Sequence, residues 1–533
     1  MKKIIATLLA TASLLSLAAC GSPSGNNAPA DTKAPAGTTA PAGTSAPAND
    51  STEVVIGYVG LHAACYPSSN SNDFIQQAMV YDKLFEVDDN TGEYTSRTLS
   101  SWEWKDGTTF VMTLKDGMTF SDGKPVTGED VLFSLQDYVT NGAAPRTDKY
   151  PYYQFIDFDK CSVSDDGLTV TVVWQKEYGP AYRQMNCAIM EKEFTQAHDI
   201  ADMIWYTGPV GSGPYKITEC VQDSYVVFEL RDDYWNKDYT YDATKITLKF
   251  YSDETAMYVD YQNGNLDAIY GISSTVAQQI EAAGNQGTVQ YISNKDVTLL
   301  NLNDQTPALQ DPAVREAIAY ALDMNAIAGI AYGTLATPAK SHFASDFPFY
   351  TEHEGYTYDV AKAKQILADA GYKDGDIMLT CITTNNNPDP QIGEAIQGYL
   401  GAVGIQVSVS SYDLPTALGM YMDGQSDLTT LSTRGGNGTL EPYQVISGID
   451  ATASFQCMAN HDPEFNALLD VGLNSVDEDT RWDAYAKADQ WLYDNFHSLP
   501  VCETMGAIAY NSRITSFNQG TVGKGCLGAL TLG

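Results

Sequence analysis

Hydrophobic positions change their period partway along the chain. From Glu53 to about Phe250 they alternate: Phe110, Met112 and Leu114 interleave with Val111, Thr113 and Lys115, and Leu168, Val170, Val172 and Trp174 with mostly polar neighbours. Period two predicts half-buried strands. "VYDKLFEVDDNTGEY" reads as a helix end or strand followed by a turn at Asn90-Thr91-Gly92, and "VGSGPYKITECVQDSYVVFEL" as a Gly-Pro turn feeding a hairpin. In "MTFSDGKPVTGEDVLFSL" a strand ends, Asp122-Gly123 turns the chain, and Thr127 caps a helix with Glu129 and Asp130 at its positive end.

After about Leu300 the period becomes helical. In "DPAVREAIAYALDMNAIAGIAYG", Val314, Ala317, Ile318, Ala321 and Leu322 share a face, with Asp311 as cap, Pro312 at the first helical position and Gly333 as the stop. "YDVAKAKQILADAGYKDG" repeats this grammar with Asp359 and Gly371, and Trp482, Tyr485, Leu492, Tyr493 and Phe496 form a further stripe. A strand-rich half followed by a mixed α/β half predicts two lobes with a cleft between them.

Length agrees, since 533 residues exceed what one core normally fills. Composition is that of a globular chain, with 44% hydrophobic and 18% charged residues. The net charge of -37 excludes nucleic acid as a partner, because phosphate binding needs clustered Lys and Arg.

The first residues, "MKKIIATLLATASLLSLAACGS", combine a basic start, an apolar stretch and small residues, which is the pattern of an export signal. No later window offers the roughly 20 apolar residues of a membrane span. Residues 21–52 repeat APAGT and contain no large apolar side chain, so they read as a disordered tether. Eight cysteines follow Cys20, at 65, 161, 187, 220, 381, 457, 502 and 526. Disulfides and reduced buried thiols both remain open, and no Cys/His spacing suits zinc.

Two resemblances sharpen this reading. Leu17-Ala18-Ala19-Cys20-Gly21 resembles the lipobox of bacterial lipoproteins, which implies a diacylglyceryl group on Cys20 and a membrane anchor. "SWEW", "LKDGMTFSDGKPVTGEDV", "VGSGPYKI", "DDYWN", "NGNLDAI", "DPAVREAIAYALD" and "LPVCETMGAIAY" occur in the order found in the oligopeptide/dipeptide-binding family of extracytoplasmic solute-binding proteins, the receptors of ABC importers. The resemblance implies an α/β, bilobal, periplasmic-binding-protein-like fold of type II with an extra strand-rich domain and a hinge-closing cleft. By analogy the first lobe comprises 53–88, 207–300 and 505–533, the extra domain 89–206, and the second lobe 301–504.

It also implies a function: a monomeric receptor, anchored through Cys20 at the cell envelope on the outer face of the cytoplasmic membrane or in the periplasm. Such a receptor captures a small solute, with oligopeptide or dipeptide first, and hands it to ABC permease subunits. An oligosaccharide receptor and a ligand-sensing receptor are the alternatives. A secreted hydrolase fits poorly, because no HExxH, GxSxG or Cys/His nucleophile pattern stands out among six histidines. No cofactor or metal is expected.

Candidate ligand contacts follow from the same resemblance. The loop after the first strand supplies Tyr58, His62 and Tyr66; Trp205, Tyr412 and Tyr443 offer apolar faces with polar tips. Where peptide-binding members carry an acid for the peptide amine, this chain reads "STRGGNGTLEPYQVIS" without an Asp. Arg434 there could meet a carboxylate in bidentate fashion or simply solubilise a Gly-rich loop, and Glu441 precedes Pro442. Core packing explains most of the 34 tyrosines, and His62 also reads as a loop residue held by a hydrogen bond.

Overall fold

Two long strands, Thr288–Leu302 and Ser498–Tyr510, run antiparallel through the middle of one sheet and organise the rest. A computed structural model describes residues 52–60, 74–87, 93–140, 153, 155–181, 185, 187–198, 208–347, 350–385, 388–432, 441–446, 462–517 and 526–533. All of them belong to a single unit, Asp50–Gly533. The 11-stranded sheet runs Gln406–Tyr412, Met378–Thr384, Leu428–Ser432, Thr288–Leu302, Ser498–Tyr510, Ala268–Tyr270, Glu53–Val59, Lys245–Tyr251, Tyr225–Leu230, Tyr215–Val221, with Ala336–Pro338 paired to the 498–510 strand.

The half built on 53–59, 245–251 and 268–270 is called here the first lobe, and the half built on 378–384, 406–412 and 428–432 the second. Alternation decides what each face of the second lobe covers. Leu300 and Leu302 point into a cluster with Val314, Ile318, Ile327, Leu367, Ile396 and Leu400. Val297 and Leu299 point the other way, onto Phe343, Phe465, Leu469, Tyr485 and Leu492. The lobe is therefore a sheet between two helical layers.

Beside the first lobe stands a four-stranded antiparallel sheet, Leu99–Trp104, Thr109–Leu114, Thr169–Val173, Ser162–Val163. Its inward residues Phe110, Met112, Leu114, Val170 and Val172 share one cluster with Val54, Ile56, Ile246 and Leu248 of the first lobe. Period-two text thus became strands as expected, including the 215–221/225–230 hairpin. Residues 88–92, with the predicted Asn90–Gly92 turn, lie outside the described residues.

The helix starts show how local chemistry places the elements. Asp311 accepts from Ala313 N with Pro312 next, and Asp359 accepts from Lys362 N. Thr127 departs from expectation: its hydroxyl and amide both donate to Asp130 Oδ2, at 2.8 and 2.9 Å, so the first-turn carboxylate reaches back to it, and only its carbonyl accepts, from Asp130 N and Val131 N. The run expected to be one helix up to Gly333 is two, Pro312–Ala321 and Met324–Tyr332. The break comes from Asp323, whose carboxylate accepts from Ala326 N and starts a second helix. In helix Glu478–Asn495 the buried stripe is Arg481, Ala484, Tyr485, Ala488, Asp489 and Leu492; Trp482 and Tyr493 are only partly buried, and Phe496 is the left-handed residue that ends the helix.

Candidate functional site

Strand directions define where a solute could sit. Strands 53–59, 245–251 and 268–270 are mutually parallel, and 268–270 is antiparallel to 498–510, so all three point the same way as 288–302. Strands 378–384, 406–412 and 428–432 are parallel to one another and antiparallel to 288–302. The carboxyl ends of the two groups consequently face each other. Tyr270 lies level with Ile508 and hence Gln290, whereas Ser432 lies level with Thr298. Eight residues of strand separate them, roughly 25 Å. Open α/β sheets bind ligands outside the carboxyl ends of their strands, and here two such edges bracket one space.

The connecting segment carries a bulge. Register slips between Ser293 and Asp296, and Lys295 in the bulge has φ +53°. Its amide donates to Ser293 Oγ at 3.0 Å. Its side chain, 4% exposed, reaches the Asp346 carbonyl and Oδ2, both at 3.1 Å. A left-handed non-glycine residue whose buried lysine side chain is tied to a half-exposed aspartate is a backbone strain that the surroundings enforce.

On the first-lobe edge, Tyr58 is half-buried and packs its ring 6.0 Å from Tyr270. Gly60 follows with φ +153°, and a side chain there would meet the Tyr58 ring at 2.7 Å, so the glycine clears room for that tyrosine. Tyr251 ends the neighbouring strand and donates to Asp260 Oδ2 at 2.6 Å. Burial and that carboxylate push its hydroxyl well above the usual tyrosine range. On the second-lobe edge, Thr384 donates to Asp389 and Tyr412 packs partly buried on Ile382, Ala417 and Tyr421.

Of the predicted contacts, the structure therefore brings Tyr58 and Tyr412 to the two facing edges. Tyr443 is 6% exposed and packs within the cluster of Phe343, Phe465 and Tyr485. His62, Tyr66, Trp205, Arg434 and the acylation candidate Cys20 lie outside the described residues. Sequence reasoning missed Tyr251, Tyr270 and Thr384, although each stands shortly before a helix start. Asp253 and Ser273 are caps, Asp389 opens its helix, and an apolar strand running into such residues marks a carboxyl end.

Glu441 is buried and committed. Its Oε1 meets Arg481 and accepts from Tyr443 N at 3.2 Å; the Glu441 and Arg481 side chains are 0% and 1% exposed. Its Oε2 has no hydrogen-bond partner. Among the described residues no group of three His, Cys, Asp or Glu side chains could hold a metal, and no helix is long and apolar enough to cross a membrane. The six described cysteines, 161, 187, 220, 381, 502 and 526, are free thiols.

Comparison with known proteins agrees with this architecture. The chain is 24% identical over 473 residues to Heme-binding protein A of Haemophilus influenzae, covering 83% of this chain and 85% of that one. It is 23% identical over 461 residues to the Dipeptide-binding protein of Escherichia coli, covering 80% and 84%. The crystal structure of the ABC transporter substrate-binding protein CtaP from Listeria monocytogenes superposes with a TM-score of 0.77 at 24% identity, covering 90% and 99%, which establishes the bilobal α/β fold. The model of bacterial extracellular solute-binding proteins, family 5, matches residues 93–454. With two facing strand edges along one sheet and a family match over most of its length, the chain belongs to the family 5 bacterial extracellular solute-binding proteins.

Proposed function

We propose that this protein is the membrane-anchored receptor of an ABC importer, that its solute is a short peptide, and that it performs no chemistry on that solute. The observation that carries the reading is the pair of carboxyl edges facing each other across the bulged strand, an arrangement that can bury a small extended molecule from both sides. Several relatives are named as peptide- or dipeptide-binding proteins, which supports the choice of solute. Closure follows only from contacts made better in the closed state, and it would present a new surface to the permease.

We take the first lobe as 53–88, 207–300 and 505–533, the strand-rich domain as 89–206 and the second lobe as 301–504. Residues 21–52 serve as the tether from an acylated Cys20. Tyr58 and Tyr412 flank the solute, joined by His62, Tyr66, Trp205 and Arg434 from the adjoining segments. With Glu441 committed to Arg481, the peptide is held chiefly through its backbone and carboxylate.

Thermal unfolding of the chain from Asp50 onward tests the reading against short peptides, oligosaccharides, haem and nickel chelates. A solute at about 100 times its dissociation constant stabilises by roughly 2.7 kcal/mol. Peptides are expected to do so; stabilisation by sugars alone would move the assignment to carbohydrate uptake. Replacing Cys20 by Ala is expected to move the protein from the membrane to the soluble fraction, and retention on the membrane would contradict the anchor.

A further inference from the structure

The loop 174–181, between the four-stranded sheet and the rest of its layer, touches the second lobe. Gly179 N donates to Leu473 O at 2.7 Å, at the end of helix Pro463–Leu473, and Lys176 Nζ reaches Asn474 Oδ1 at 3.2 Å. The fit at Gly179 leaves no room. A Cβ there would stand 2.4 Å from Gly472 O, 2.5 Å from Arg481 Nε and 2.6 Å from Ser475 O. Two of those three atoms are backbone, and Gly472 is itself pressed against the Tyr485 ring.

The notch is also tied into the second-lobe core. Arg481 Nε donates to Gly472 O at 3.0 Å while its other end holds Glu441, which precedes the helix Pro442–Ile446. The loop belongs to the opposite body: Trp174, Tyr178 and Ala181 are part of the core shared with the first lobe. Leu473 packs against that core and against the second-lobe core alike, and Val87 packs on the second-lobe core from the first-lobe side.

We propose that this contact is a latch holding the two lobes closed, with Gly179 as its positioning residue. Because none of its residues is among those at the strand edges, it sets how long the receptor stays closed without choosing the solute. A side chain at position 179 wedges the lobes apart, so solute leaves faster from an unaltered cleft. The inference rests on two-lobe closure and not on peptide as the solute.

The test therefore uses the solute-free protein, by hydrogen exchange and small-angle X-ray scattering on the wild type, Gly179→Val and Lys176→Ala. In the wild type, amides in 176–181 and 472–475 are expected to be protected. Gly179→Val should lose that protection by roughly tenfold or more, the equivalent of at least one interlobe hydrogen bond. Its radius of gyration should rise while its melting temperature holds. Lys176→Ala should show a smaller change of the same sign, and it carries the test if the valine variant does not fold. Unprotected wild-type amides overturn the proposal. So does a Gly179→Val protein that melts earlier without expanding, the outcome of a purely local packing role.

Discussion

Asp489 offers the sharpest test of how the second lobe is held together. It sits 1% exposed on helix Glu478–Asn495, and its carboxylate collects four donors from a segment about 140 residues earlier. Ser341 Oγ donates at 2.9 Å, His342 N at 3.1 Å, His342 Nδ1 at 2.6 Å and His353 Nε2 at 2.8 Å. His342 Nε2 faces Ser498 O at 3.0 Å, so strand 498–510 is drawn into the same network. Burial alone would push the Asp489 carboxyl up, yet the hydrogen bonds from His342 and His353 hold it well below the usual carboxylate range.

Asp489→Ala leaves those donors buried without an acceptor. Breaking a buried charged network from one side costs about 3–5 kcal/mol, and each charge-assisted hydrogen bond contributes about 1.5–3 kcal/mol before the survivors relax. We expect a loss of about 4 kcal/mol. For a cooperative unit of roughly 200 residues that lowers the melting temperature by about 8–16 °C.

The pH dependence carries a sign. A carboxylate whose folded pKa is depressed contributes stability above its unfolded pKa near 3.9 and loses it as pH falls toward the folded value. Scanning calorimetry at pH 7 and at about pH 3 should therefore show the gap between wild type and variant narrowing in acid. A deficit below about 1 kcal/mol at pH 7, or a gap that widens in acid, would refute the reasoning.

Other consequences follow from single features. Asp82 is buried, and desolvation raises its carboxyl to about 6 despite hydrogen bonds from Trp235 and Tyr234; its contribution is present below the unfolded pKa and lost as pH rises through 6, so wild type should lose on the order of 2 kcal/mol between pH 4 and 6 relative to Asp82→Asn in denaturant titrations. A chain starting at Asp50 should melt within about 2 °C of one starting at Cys20, because residues 21–49 contain no large apolar side chain to bury; it must keep Thr52, whose carbonyl accepts from Thr244 N at 2.9 Å. N-acetylation of a bound peptide should weaken binding less than about threefold by calorimetry, since Glu441 is engaged with Arg481; a hundredfold loss would show that a buried acid does meet the amine.

Much of the fold was legible because its signals are local. Alternation at 109–114 and 169–173, the caps Asp311 and Asp359, and the Gly-Pro hairpin each depend on neighbours within a few residues. What escaped notice depends on residues far apart. Asp489 reads in the text as one more helix carboxylate, and nothing near it announces His342 or His353. Gly179 reads as a turn glycine, although what requires it is a wall formed almost 300 residues later. The bulge at Lys295 interrupts a strand whose apolar pattern continues on either side, so only the pairing reveals it. At the candidate site, Tyr58 was named from the resemblance, which sets the loop after the first strand at the cleft, and Tyr412 from its apolar face and polar tip, whereas the burial of Tyr443 and the pairing of Glu441 with Arg481 required the packing of the second lobe.

The central claim is that one solute is gripped by two strand edges at once. Hydrogen exchange of the Asp50–Gly533 chain, with and without a saturating pool of tri- to pentapeptides, tests it most directly. The account predicts new protection at the carboxyl ends of both groups, around residues 58–60, 251–253 and 270–273 in the first lobe and 384–389 and 412–416 in the second. Protection confined to one lobe, or none at either edge, would contradict it.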